Sequence, residues 1–405
     1  MLKLRKLIEK KCSDDPYRIS SKDYSELSCE ERDHWSPVNA KHEKIPKICY
    51  AAFALAAICA IIYIITFISQ DFADFVNLYL GTAARFTLAK LSGLLPFSLA
   101  ELTIILLPIL TFLAIWYLWN YRCRTRRDSF VSIVCILSVF SIFLSTFVLC
   151  LGTGYRGTTL DKKLGLDADE VSADELYAAT EYLTEKINEL TPKVRFGDDG
   201  FSNMPYSFDK MNDKLIDAYD SFEKDHDFII NFNSRLKPVM MSEVMSYAHI
   251  GGIYSFFTGE SNINVMLPDY TIPYTSAHEL AHQRGIARED EANMIAYLVC
   301  IRSDDPYIQY SAYVNMYEYV AAALRKASSE KYKQISRKLD LAVYNEQVAY
   351  SNFFKKYQQS VTSKVSGTVN DAYLKAQGTA GRQSYGMVVD LTVAYFKREG
   401  IISTQ

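Results

Sequence analysis

The chain has 405 residues, with 44 basic against 47 acidic side chains. That near-neutral balance, with no basic domain and no recognisable binding motif, excludes a nucleic-acid partner. Apolar residues gather in three runs before residue 153, and the roughly 250 residues beyond them suffice for one sizeable core. Of the eight cysteines, Cys300 alone lies beyond residue 153, so that part can form no internal disulfide.

Residues 1–47 are polar and read as a cytoplasmic tail. Its first stretch is basic (Lys3, Arg5, Lys6, Lys10, Lys11), and Leu2–Lys11 fits a short amphipathic helix lying on a membrane. A signal peptide is not expected, because the first apolar run starts too late and is too long. Residues 48–151 read as a three-helix membrane region. The first span is expected at Ile48–Ser69, uncharged and long enough to cross roughly 30 Å of hydrocarbon. The linker Gln70–Pro96 is amphipathic (Phe72, Phe75, Val76, Leu78, Leu80), with Gly81 and Gly93 expected as breaks. The second span is expected at Phe97–Trp119, with Glu101 at headgroup level and Trp116, Tyr117, Trp119 and Tyr121 as an aromatic belt at the other end. The third is expected at Phe130–Leu151. The loop between spans two and three carries Arg122, Arg124, Arg126 and Arg127 against Asp128. Positive loops stay in the cytoplasm, so the N-terminus is expected inside and residues 152–405 outside, as the extracytoplasmic domain of a multi-pass membrane protein.

That domain reads as mostly helical with a small sheet. Ser172 and Glu175 form a capping box for a helix running to Leu190, and Lys210–Lys224 reads as another. Phe228–Phe232 and Leu236–Val239 are short apolar stretches of uncertain type. Ile253–Phe257 and Asn262–Leu267 read as strands, being short, rich in β-branched and aromatic residues, and bounded by Gly, Ser and Pro. The second of these, lying just before the metal motif, could form the edge of a cleft and pair with a peptide by strand addition, or be a core hairpin strand. Tyr307–Ala327, Glu330–Asn352, Val369–Gln377 and Tyr385–Gly400 are helical patterns, and Ser360–Thr368 is the most polar connector.

The chemistry is concentrated in AHELAHQRGIAREDEAN, Ala277–Asn293. His278 and His282 are four apart and project from one helix face. Two imidazoles at that spacing can hold one tetrahedral zinc, with Glu279 as general base. Gly285 is placed to end the helix in a left-handed cap. A catalytic zinc takes three protein ligands and keeps one position open. Glu289 is the first candidate for the third ligand and Glu291 the alternative; about 200° separates them on an ideal helix, so both are not expected at one metal. Asn293 is placed to hydrogen-bond a ligating side chain. Tyr307, Tyr310, His249 and Arg382 are candidate oxyanion donors, His249 also reading as structural. The bland reading of Arg288–Glu291 is an acidic, solvated first helical turn.

The stretch FFTGESNINVMLPDYTIPYTSAHELAHQRGIAREDEANMIAYLVC, with LPFSLAEL before the second span, GYRG after the third and QYSAYV at Gln309–Val314, resembles a family of bacterial integral-membrane proteins labelled only as domain of unknown function 3810. The resemblance implies three N-terminal spans and a zincin-like outer domain. More distantly, the metal stretch is similar to gluzincin metallopeptidases, in which a Glu followed four residues later by Asp completes the site. Glu289 matches that Glu; Asn293 stands where Asp is usual, and the spacing of seven from His282 is shorter than most gluzincins have. The Gly285 turn resembles that of metzincins, but Arg288 occupies their third-ligand position and cannot bind zinc. The expected function is therefore a membrane-anchored zinc metallopeptidase, acting on a peptide or protein outside the cytoplasm and in contact with membrane lipid. The alternative is a non-catalytic zinc-binding sensor or scaffold. Intramembrane proteolysis is disfavoured, because Arg284, Arg288 and Asp290 are costly in lipid.

Overall fold

Among the described residues, three helices are long and apolar enough to cross a membrane: α1 (Lys47–Thr66), α4 (Leu99–Tyr117) and a third whose apolar stretch is Ser129–Cys150. The computed structural model that shows them describes residues 44–117, 126–167, 170–357, 361–379 and 387–403. The tail before residue 44, Arg122, Arg124, Trp119, Tyr121 and Arg382 lie outside the described residues.

Between the first two long helices, the stretch expected as an interfacial linker is itself folded. It forms α2 (Gln70–Phe75), a π-helical turn (Val76–Gly81) and α3 (Thr82–Ser92). Gly81 is not a break, since helix continues on both sides of it. Its lack of a side chain serves packing: a Cβ there would fall 2.7 Å from Leu149 O and 2.8 Å from Arg85 Nη1. Helix α4 begins two residues later than expected, where Ser98 Oγ accepts the Glu101 N–H at 3.0 Å as an N-cap.

The third long helix, α5 (Arg126–Cys150), leads through a 3₁₀ turn (Gly152–Arg156) to α6 (Leu160–Lys163), α7 (Ala173–Leu190) and α8 (Phe208–Glu223). The capping box of Ser172 and Glu175 is present at the start of α7. The chain then runs through β1 (Lys237–Pro238), α9 (Ser242–Tyr247), β2 (Gly252–Ser255) and β3 (Glu260–Ile263). The sheet order is β1-β3-β2, with β1 parallel and β2 antiparallel to β3. The two motif helices follow as α10 (Thr271–Gln283) and α11 (Glu289–Ile301), then α12 (Pro306–Ala327), α13 (Ser329–Ser336), α14 (Leu341–Lys355), α15 (Val361–Ala376) and α16 (Val388–Arg398).

Two expectations change, and one stretch left open by the sequence is resolved. Glu330–Asn352 is two helices, because the Asp340 carboxylate accepts the Ala342 N–H at 2.8 Å and caps a new start. The polar connector expected at Ser360–Thr368 is helical from Val361; polarity by itself does not break a helix. Phe228–Phe232 forms neither helix nor strand.

Among the described residues, one compact unit comprises those within 52–111 and 139–403; the other comprises 44–51, 112–117 and 126–138. In the smaller unit, Cys49 Sγ lies 3.8 Å from Cys135 Sγ. The larger unit has a core running from Leu160 to Ile402, with Leu183, Tyr219, Leu280, Ile295, Val314 and Phe396 all buried. Helices α10, α11 and α12 pack on one another within it, and β2 and β3 lie against α10.

Candidate metal centre

Helix α10 ends on Gly285, whose φ of +99° suits glycine. Ile286 N–H bonds Ala281 O at 3.1 Å and Gly285 N–H bonds His282 O at 3.0 Å, the paired bonds of a Schellman cap. The chain therefore reverses within a few residues and starts α11 at Glu289, which brings that side chain back over the histidines.

His278 Nε2 and His282 Nε2 lie 3.0 Å apart. Glu289 Oε2 is 3.2 Å from the first and 3.5 Å from the second. A tetrahedral zinc with donors at about 2.0–2.1 Å sets neighbouring donors about 3.3 Å apart, so the three atoms fit one face of such a site. His282 Nδ1 lies 2.7 Å from Ile286 O. A carbonyl only accepts, so Nδ1 carries a hydrogen, and Nε2, facing Glu289, is the nitrogen that would give its lone pair to a metal. His278 Nδ1 is buried without a hydrogen-bond partner.

The ionisable groups of the cluster shift one another. Burial alone would push Glu289 up, but the charge of His282 and hydrogen bonds from both imidazoles outweigh it and hold the carboxyl well below its usual range. Burial opposes a charged His282, and the Glu289 carboxylate overrides it, pushing the imidazole up to about 9. Glu279 is buried beside them and raised, chiefly by desolvation, with His278 and His282 pulling the other way.

Glu291 is not at this cluster. Its carboxylate accepts the Leu160 N–H at 3.0 Å and lies 3.7 Å from Arg288 Nε. Burial raises it to about 7, with the Arg288 charge pulling it down. Asn293 is buried one turn beyond Glu289, but its Nδ2 has no partner, and its carbonyl accepts the Tyr274 hydroxyl at 3.0 Å.

The tyrosines proposed from sequence are engaged elsewhere. Tyr307 donates to Ser202 O at 3.2 Å, and Tyr310 donates to the buried Glu346 carboxylate. His249 Nε2 lies 3.3 Å from Tyr357 O, with its ring stacked on Phe354. Arg382 is outside the described residues. Two other tyrosines feel the Glu289 charge. Tyr319 on α12 is raised to about 12 by burial and then by Glu318 and Glu289. Tyr373 on α15 is also raised to about 12, by burial first and Glu289 among the lesser causes. Tyr319 is nine residues after Tyr310, about half a turn round the helix face, and that phase was the signal available in the sequence.

Strand β2 runs directly over Glu279. A Cβ on Gly252 would come within 2.5 Å of Glu279 Cγ and 2.7 Å of Oε1. The strand expected to edge the cleft, β3, is the central one, flanked by β1 and β2. It cannot accept a further strand because both its sides are taken. The edge strand beside Glu279 is β2.

The turn between the motif helices is braced from α2–α3. Asn77 Nδ2, on the π-helical turn, donates to Gly285 O at 2.8 Å. Arg85, fully buried, holds Asn77 through its Oδ1 at 2.9 Å and its carbonyl at 2.6 Å, and also reaches Thr82 Oγ1. Single π-helical turns recur at functional sites. If the cluster holds a metal, Asn77→Ala is expected to leave Gly285 O unpaired and loosen the turn that returns Glu289, weakening metal binding about 10-fold, the low end for groups that position ligands. Competition with a chelator on the folded variant measures this; unchanged affinity would reject the brace.

A family model described as protein of unknown function (DUF3810) matches residues 75–393. The chain belongs to that family. The match begins at the brace helix α2 and runs through both motif helices, so the family region contains every residue of the cluster. No curated protein and no solved structure matches the chain.

Proposed function

We propose that the chain is a membrane-anchored zinc peptidase of zincin type, with His278, His282 and Glu289 holding the metal and Glu279 moving the proton. The observation carrying this reading is the set of three donor atoms 3.0–3.5 Å apart with Glu279 buried alongside. Zinc supplies Lewis acidity there, polarising a carbonyl and making water acidic enough to react near neutral pH.

The rest is done by the chain. The desolvated Glu279 takes a proton from the attacking water and returns it to the leaving amine; its raised pKa suits both halves of that transfer. Edge strand β2 aligns an extended peptide by main-chain hydrogen bonds, and the glycine at 252 leaves room for Glu279 beneath it. Tyr319 and Tyr373, whose ionisation the Glu289 charge opposes, are the candidate donors to a developing oxyanion. The carboxylate of Glu291 takes no part, and instead anchors α6. On the sequence-based orientation, the substrate is a peptide or protein on the extracytoplasmic side.

The test uses the full-length, zinc-loaded protein and a mixed peptide library read by mass spectrometry. Wild type is expected to cleave. Glu279→Gln is expected to keep its metal and lose about 10²–10⁴-fold in rate. Metal bound with no cleavage by wild type would support the sensor or scaffold reading instead; equal rates in the two proteins would remove Glu279 from the mechanism. Gly252→Ala in the same assay is expected to lose at least about 10-fold with metal retained, because the new methyl displaces the Glu279 side chain by the order of an ångström.

A further inference from the structure

We propose that two loops flanking the first turn of α4 form an apolar ridge seated in lipid, and that this ridge holds the His278–His282–Glu289 centre at the surface of the bilayer. The loop before α4 exposes Leu94 at 80%, with Phe97 also exposed. The loop after β1 exposes Met240 at 86%, with Met241 beside it. Side chains this apolar and this exposed are unfavourable in water, by about 1.5–3 kcal/mol each relative to burial. Clustered, they mark a contact surface.

The two loops are locked to the same helix end. The Glu101 carboxylate, in the first turn of α4, accepts Met240 N–H at 3.1 Å and Met241 N–H at 2.7 Å. Lys237 Nζ, almost fully buried, donates to Ser92 O at 2.7 Å, to Phe97 O at 2.8 Å and to Glu260 Oε1 at 2.6 Å. Glu260 in turn accepts the Leu99 and Ala100 N–H groups. The charges of Glu101, Lys237 and Glu260 are thereby each met by internal partners, which is what a low-dielectric neighbour requires.

What covers the ridge follows from continuity. Leu94 and Phe97 run directly into α4, a helix apolar enough to cross a membrane, so the surface around its first turn meets the same lipid. Glu243, exposed two residues beyond Met241, limits immersion to headgroup depth. The catalytic side follows from the sheet. Strand β3 sits on this turn through Glu260 and through Ser98 Oγ, which donates to Asn262 Oδ1 at 2.6 Å. The next residue, Ser261, donates to Glu279 O at 2.9 Å. One strand therefore separates Glu279 from the turn of α4.

The seating is tested on the full chain in phosphatidylcholine vesicles, with an environment-sensitive fluorescent amino acid in place of Met240, of Leu94, or of the exposed Lys333 on α13 as a control. Doxyl-labelled lipid is expected to quench the probes at 240 and 94 at least twofold more than the one at 333, and aqueous iodide to show the reverse order. Equal lipid quenching at the three positions overturns the proposal, as does protection of position 240 by a second copy, seen as a copy-to-copy cross-link without lipid quenching. The readout needs no metal and no turnover, so it stands or falls separately from the peptidase reading.

Discussion

If the proposed centre holds zinc, Glu289→Ala is expected to strip it from the full-length protein, while Glu291→Ala keeps one zinc per chain. The two glutamates are two residues apart, and charge alone does not separate them. Geometry does: Glu289 Oε2 lies 3.2 Å and 3.5 Å from the two imidazole nitrogens, whereas Glu291 is spent on the Leu160 N–H. Loss of a direct ligand should exceed the 10–100-fold typical of its outer partners, so an affinity drop of more than about 100-fold is expected for Glu289→Ala, and likewise for His282→Ala. Glu291→Ala has a different signature. It leaves a buried N–H of α6 without an acceptor, at a cost of about 1–3 kcal/mol, and appears as a lowered Tm at unchanged stoichiometry. Metal analysis of the purified variants beside wild type reads both. Zinc retained by Glu289→Ala, or lost from Glu291→Ala in a folded protein, would reassign the third ligand.

A fragment beginning at Gly152 is expected not to fold, although the sequence marks that residue as the start of a separate domain. The compact unit that carries the centre includes residues 52–111. Without them Gly285 O loses Asn77, Lys237 loses two of its three acceptors, and Glu260 loses both N–H donors of α4. Buried groups left unpaired cost about 1–3 kcal/mol each, more when charged, and a domain's whole stability is about 5–15 kcal/mol. Apolar surface opens as well: Gly259 packs so closely on α3 that an added Cβ would lie 2.7 Å from Leu88 Cβ and Ala89 N. The expected product is aggregated, or lacks a cooperative melt and a near-ultraviolet circular dichroism signal. A fragment that melts cooperatively and binds zinc with full-length affinity would show that the brace from α2–α3 is dispensable.

Much of the layout was legible before any coordinates. The three apolar runs appear as long helices within a few residues of their expected ends, because length and hydropathy alone set them. The capping box at Ser172 and the left-handed cap at Gly285 are also in place, since each depends on residues close in sequence. The differences share a cause. Residue type alone makes Gly81 a break, yet packing against Leu149 O and Arg85 explains it. Tyr307 and Tyr310 suit an oxyanion by chemical type, whereas packing engages them with Ser202 and Glu346.

By itself the sequence determined the helical spans, the His278–Glu279–xx–His282 pairing on one helix face and the turn that follows it, all contacts within about one or two helical turns. Only the tertiary structure decided which glutamate returns to the histidines, which strand lies over Glu279, and that Asn77, held by Arg85, braces the turn from 208 residues away in the chain. Those outcomes depend on how separate elements pack, and local residue patterns do not encode the distance between elements.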